Sequence, residues 1–165
     1  MIQSALDWVR GEQTEGIVVL CIALVIIAVG VLLPRLITTP YAKVAMPPLV
    51  IVGVGYCAIG AGIFYNAGQS KKDLLAREQT EEIQQIAQTE KARVEGFERS
   101  YTASKIVSTL FMLTAALLIW FAKSPTGQGI AIGLILFALL AVSVDYFSKE
   151  RADIYYQEIV NTLNE

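Results

Sequence analysis

Histidine is missing from all 165 residues of this chain. Its absence removes haem ligation through imidazole, most zinc sites and every serine–histidine or cysteine–histidine nucleophile in one step. Cysteine is scarce: Cys21 and Cys57 are the only two, both inside apolar runs, where a thiol behaves as a small packed hydrophobe. They fall at similar depth on consecutive antiparallel segments, so a thiol pair is geometrically open to them, but no C-x-x-C or other metal-ligand spacing is present. Clustered Lys and Arg are lacking as well. With a net charge of −2 the chain has no basic face to displace phosphate counterions, which argues against nucleic acid as a partner. Charge is almost absent within the apolar runs, and charges there are the usual marks of proton relays, ion pathways and coupled transport.

What is plentiful is apolar length. Runs at residues 16–37, 46–65, 106–122 and 129–144 each approach the roughly 20 residues a helix needs to cross about 30 Å of hydrocarbon. Hydrophobic residues make up 55% of the chain and charged ones 17%, whereas a soluble domain has about 25% charged residues. Lipid offers the backbone no hydrogen bonds, so every N–H and C=O is paired internally and the chain must form helices. The fold class expected is all-α: an integral membrane four-helix bundle with a cytosolic helical extension between spans 2 and 3. The first run is longer than the about 7–15 apolar residues of a signal peptide. Its leader is acidic, with Asp7, Glu12 and Glu15 against Arg10, and no A-x-A cleavage site follows. It reads as a retained span behind a cytosolic leader, residues 1–15.

Lys and Arg near span ends stay on the cytoplasmic side. With four spans, one side holds Arg10, Lys71, Lys72, Arg77, Lys91, Arg93, Arg99, Lys105, Lys149 and Arg151; the other holds only Arg35, Lys43 and Lys123. Both termini and the segment 66–105 are therefore expected inside, in a bacterial inner membrane. Trp120 and Tyr41 then mark the outer boundary and Tyr65, Tyr101 and Tyr146 the inner one, as aromatic belts do. Short outer loops are expected at Thr38–Val44 and Lys123–Gln128, from Pro40, Pro125 and Gly127, with Pro47 and Pro48 opening span 2.

Residues 66–105 read as helix: Ala, Leu, Glu, Gln, Lys and Arg dominate and proline is absent. Pairs four apart, Asp73 with Arg77 and Glu95 with Arg99, add a little support. A hairpin turning between Gln79 and Gln88 is expected, with one amphipathic helix along the membrane as the alternative. Ile83, Ile86, Val94, Phe97 and Tyr101, with Ala87, form an apolar stripe at helical spacing. Its hairpin mate, another protomer or a cytosolic protein are the three surfaces able to cover it, and these five residues are the candidate partner-binding set. The tail, 148–165, repeats the pattern with Ile154, Tyr155, Ile159 and Leu163.

Small residues mark helix seams. Span 2 carries Gly53, Gly55, Ala58 and Gly62, with an Ala-x-x-x-Gly spacing, and span 4 carries Gly129 and Gly133 as G-x-x-x-G. Such spacings let backbones approach closely, either between spans of one chain or between protomers. Ser108, Thr109, Thr114 and Tyr56 are candidates for hydrogen bonds across helices, although Ser and Thr also bond their own preceding carbonyls. Asp145 is expected to pair with Lys149 at the inner boundary. The cytosolic carboxylates alternate with bases as solvated faces do, so no catalytic residue, metal or cofactor is expected. Membrane lipids are the only non-protein partner implied. The reading is a non-enzymatic, homo-oligomeric or complex-forming subunit whose cytosolic helices engage a partner. A small oligomeric channel or a membrane immunity protein are the alternatives.

Overall fold

The computed structural model describes residues 1–164 except the side chains of Pro40 and Tyr41, so the expected placement of Tyr41 at the outer boundary lies outside the described residues. Four helices make up nearly all of it: α1 (Ile2–Leu36), α2 (Pro40–Glu78), α3 (Ile83–Phe121) and α4 (Pro125–Asn164). They are 35, 39, 39 and 40 residues long, roughly 52–60 Å at about 1.5 Å per residue. That is nearly twice the about 30 Å of bilayer hydrocarbon. Each contains a stretch long and apolar enough to cross a membrane, and each carries a polar continuation at the same end of the molecule. The leader and the tail are thus parts of α1 and α4, which run through them unbroken.

Capping explains where the helices begin. The Thr39 hydroxyl accepts from the Ala42 N–H at 3.4 Å and the Ser124 hydroxyl from the Gly127 N–H at 3.2 Å. Pro40 and Pro125 take the first helical positions, where a missing N–H costs nothing. The two outer connections are consequently shorter than expected, and Pro47 and Pro48 lie inside α2 rather than at its start. At the polar end α2 stops at Glu78 and α3 starts at Ile83, inside the expected turn region. The extension is a hairpin, not one interfacial helix.

The core changes character along the bundle. In the polar half all four helices contribute: Ala5 and Trp8, Leu74, then Ile86, Ala87, Val94 and Tyr101, then Ala152, Tyr155 and Ile159. In the apolar half the two core clusters are built from α1, α2 and α4, through Val19, Ala23, Ile26, Ala45, Leu49, Val52 and Tyr56 with Leu136, Phe137 and Leu140, and α3 adds only Ser108, Phe111 and Ala115 from the α4 side. There α3 lies to one side. It keeps a single seam whose members recur at steps of three and four: Ala87, Glu90, Val94, Phe97, Tyr101, Ser104, Ser108, Phe111, Ala115 and Leu118, all buried or half-buried. Beyond that seam Leu110, Leu113, Leu117, Trp120 and Phe121 are exposed.

Glycine sets the close approaches. A Cβ on Gly16 would lie 2.8 Å from the Phe64 nitrogen and 2.9 Å from the Gly60 oxygen, and one on Gly53 would lie 2.5 Å from Ile27. Gly16, Ala23 and Gly30 of α1, spaced by sevens, thus form the small-residue face against α2. Between α2 and α4, Pro48 has no N–H to give the Val44 carbonyl. Gly129 sits on that freed oxygen, where a Cβ would come within 2.8 Å, and a Cβ on Gly133 would lie 2.7 Å from the Pro48 ring. The G-x-x-x-G of α4 is therefore an intramolecular seam shaped around a proline.

Candidate functional site

Where the polar half meets the apolar half, ionisable side chains from the helices turn inward. Glu90 occupies a seam position of α3 and is only 8% exposed. A carboxylate there must be paired, because burial strips its water. Arg93, one turn along, supplies the partner: its Nε and Nη2 donate to Glu90 Oε2 at 3.1 and 2.6 Å. Nη1 donates to the Ser70 hydroxyl of α2 at 3.2 Å and stands 3.9 Å from Glu12 Oε2 of α1. The guanidinium also lies over the Trp8 ring, 4.2 Å from its centroid. Trp8 stacks on Tyr155 of α4 with centroids 5.1 Å apart, and the Tyr155 hydroxyl donates to Glu90 Oε2 at 3.0 Å. All four helices meet in this cluster, and the diagonal from α1 to α3 is bridged by the long side chains of Trp8 and Arg93.

A second cluster lies alongside. Glu15 accepts from Arg151 and from the Ser148 hydroxyl at 2.9 and 3.0 Å. Near the end of the bundle the amino group of Met1 stands 3.2 Å from Glu158, which also accepts from Ser4. These surroundings set the proton affinities. Burial pushes the Glu12 carboxyl up to about 7, against the pull of Arg93. Burial also raises Glu15, while Ser148 and Arg151 oppose it. The Tyr155 phenol is raised by burial and by the Glu90 carboxylate it donates to. Glu158 is lowered by the Ser4 hydroxyl and the amino terminus.

From Glu12 towards the apolar half, the side of the bundle between α2 and α3 stands open. These two helices touch least of the neighbouring pairs. A groove of about 290 Å³ begins at Glu12, Ser70 and Arg93 and runs past Asn66 to Gly62 and Ile59. Further along the same side a second groove, about 380 Å³, is lined by Pro48, Ile51, Gly55, Phe111, Gly133 and Phe137 and is almost wholly apolar.

The residues singled out in the sequence divide between interior and surface. Gly53, Gly129 and Gly133 are spent on internal seams, whereas a Cβ on Gly55 or Gly62 would meet nothing within 4 Å and Ala58 is exposed. Of the stripe, Ile86, Val94 and Tyr101 are buried in the polar core and Phe97 packs against it; Ile83 alone is exposed, at 49%. What covers the stripe is chiefly α4, with Trp8 of α1 edge-on against Phe97 and Leu74 of the hairpin mate in the same cluster. Tyr56 does reach across, donating to the Phe137 carbonyl at 2.8 Å, while Thr109 and Thr114 bond their own helix and the buried Ser108 hydroxyl has no partner among the described residues. Asp145 faces Ser104 and Lys105 of α3 rather than pairing with Lys149. The pairs Asp73–Arg77 and Glu95–Arg99 do not close among the described residues; Glu95 instead accepts from Tyr156 at 3.0 Å and stands 4.0 Å from Lys91. Cys21 and Cys57 are free thiols.

In the sequence Glu12, Glu90 and Arg93 look like solvated charge, and no local motif marks the polar junction. One signal was available: Glu90 falls between Ala87 and Val94 in the three-and-four spacing of the stripe. Chemically the junction joins one guanidinium to two carboxylates, Glu90 closely and Glu12 loosely. It is an electrostatic clasp with a groove at its mouth. No group of three or more His, Cys, Asp or Glu is placed to hold a metal among the described residues. The chain matches no protein-family model, and comparisons with curated proteins and with solved structures give no match.

Proposed function

We propose that this chain is a non-enzymatic, complex-forming membrane subunit that self-associates through the open side between α2 and α3. Both termini face the cytoplasm, most simply across a bacterial inner membrane, and the Lys and Arg of the polar half support that orientation. The observation that carries the reading is that α3 packs through a single seam on α4 and barely touches α2, which leaves Gly55 bare beside a groove whose lining is almost wholly apolar. Small residues facing such a groove favour a second transmembrane helix, because packing rather than hydrophobicity drives helix association in lipid. The occupant is a second copy of the chain. A cytosolic partner has the turn end to engage, near Leu75 and Ile83, and Ile154 of α4, since the rest of the stripe is covered.

The test is oligomeric state. Full-length protein in mild detergent is expected to elute as a discrete oligomer by light scattering, and Gly55→Leu to give monomer with unchanged helicity. A monomeric parent protein would overturn the reading.

A further inference from the structure

We propose that the groove at the polar end of the α2–α3 side is a binding site for one phospholipid of the cytoplasmic leaflet carrying an ethanolamine headgroup. The groove has two ends of opposite chemistry. Gly62 and Ile59 lie within the apolar run of α2, and Asn66 and Ser70 follow one and two turns on, with Arg93 and Glu12 beside them. At about 1.5 Å per residue the polar end, at Ser70, stands about 12 Å along α2 from Gly62 at the apolar end. No donor among the described residues hydrogen-bonds Glu12, and its carboxylate, 3.9 Å from a guanidinium already committed to Glu90, opens on this groove.

The charge of the site selects the headgroup. Glu90 already pairs the guanidinium, so an anionic headgroup finds no unpaired cation there, whereas a cationic group beside Glu12 favours its ionised form against the burial that raises it. Choline brings a positive charge but no N–H. Ethanolamine brings an ammonium that donates to Glu12, while its phosphate takes the Arg93 donors left over from Glu90 and Ser70, together with Ser70 and the Asn66 amide. The tail needs a slot, and Gly62 provides one, since a Cβ there would meet nothing within 4 Å. The site goes beyond self-association and uses the other end of the open side, two turns from Gly55.

Delipidated full-length protein is mixed in detergent with equal amounts of dioleoyl phosphatidylethanolamine, phosphatidylcholine and phosphatidylglycerol, and bound lipid is counted by native mass spectrometry. One phosphatidylethanolamine per chain is expected, preferred about tenfold over phosphatidylcholine, the worth of one charge-assisted hydrogen bond. Glu12→Gln, which preserves shape, is expected to abolish that preference. Gly62→Ile, which fills the tail slot without touching the fold, is expected to abolish binding of every lipid at unchanged helicity and unchanged oligomeric state. Free phosphoethanolamine is expected not to compete. Equal binding of all three lipids, a preference for phosphatidylglycerol, retention by Gly62→Ile, or displacement by free phosphoethanolamine would each overturn the proposal. Loss of oligomerisation in Gly55→Leu with lipid still bound would leave it standing, so the two readings fail separately.

Discussion

Replacing Arg93 by Met keeps the aliphatic stem and removes only the guanidinium. Glu90 then loses two charge-assisted hydrogen bonds and keeps the Tyr155 hydroxyl as a donor, with its side chain only 10% exposed. Breaking a buried pair from one side costs about 3–5 kcal/mol, because the orphaned charge stays desolvated. Arg93 is itself 23% exposed, which puts the expectation at the low end of that range, about 3 kcal/mol. Loss of the stacking on Trp8 adds up to about 1 kcal/mol. Removing both charges, with Glu90→Gln and Arg93→Met together, should cost about 1 kcal/mol or less, since no charge is then left without a partner. Trp8 is the natural reporter: it is 5% exposed inside the clasp, whereas Trp120 is 80% exposed at the far end. In a Trp120→Phe background, denaturant unfolding in mild detergent at pH 8 followed by Trp8 fluorescence reads the polar half directly. If Arg93→Met loses under about 1 kcal/mol, or if the double variant is as unstable as the single, the clasp does not hold the polar half together in the way its geometry implies.

Gly133→Leu is expected to force α4 off Pro48, lowering stability by about 1–3 kcal/mol through overpacking, whereas Gly62→Ala at an open helical position should be neutral to stabilising by up to about 1 kcal/mol; thermal unfolding of both variants side by side checks the contrast. The Glu12 carboxyl rises from 4.5 to about 7 on folding, so between those values the native state holds the proton that the unfolded chain has lost. Its contribution to stability is complete below about pH 4.5 and is lost as pH rises through about 7, worth on the order of 3 kcal/mol. Glu12→Gln should flatten most of that decline between pH 5 and 8 in denaturation midpoints; an unchanged slope would show that Glu12 is not the group responsible, leaving Glu15, which burial also raises.

Much of the architecture is legible in the sequence because it follows from length and period alone. Four apolar runs in lipid leave the backbone one solution, and the stretch 79–82 has nothing apolar to bury, so the chain turns there. Prolines were harder to read. Pro40 and Pro125 look like loop residues, yet the first helical position needs no N–H, so both start helices; Pro48 sits inside a helix because Gly129 and Gly133 of α4 accommodate it. Charge was harder still. Glu90 and Arg93 resemble any solvated pair until the seam is extended through them, and Glu12 becomes part of the site only when α1 is seen to continue straight out of the apolar half. Periodicity finds which face of a helix is covered, but not by what. The stripe of Ile86, Val94 and Tyr101 packs on the tail of α4 and on Trp8 of the leader, both distant in sequence. The openness of the α2–α3 side follows from where the glycines of span 2 are spent: Gly53 and Gly60 face α1, while Gly55 and Gly62 face nothing.

Cysteine cross-linking in native membranes tests the open side most directly. In a Cys21→Ser, Cys57→Ser background, Ile51→Cys lies 70% exposed at the groove and Val25→Cys 62% exposed on α1. Self-association through α2 and α3 predicts a disulfide-linked dimer from Ile51→Cys, lost on adding Gly55→Leu, and none from Val25→Cys. Cross-linking at Val25→Cys with none at Ile51→Cys would contradict it.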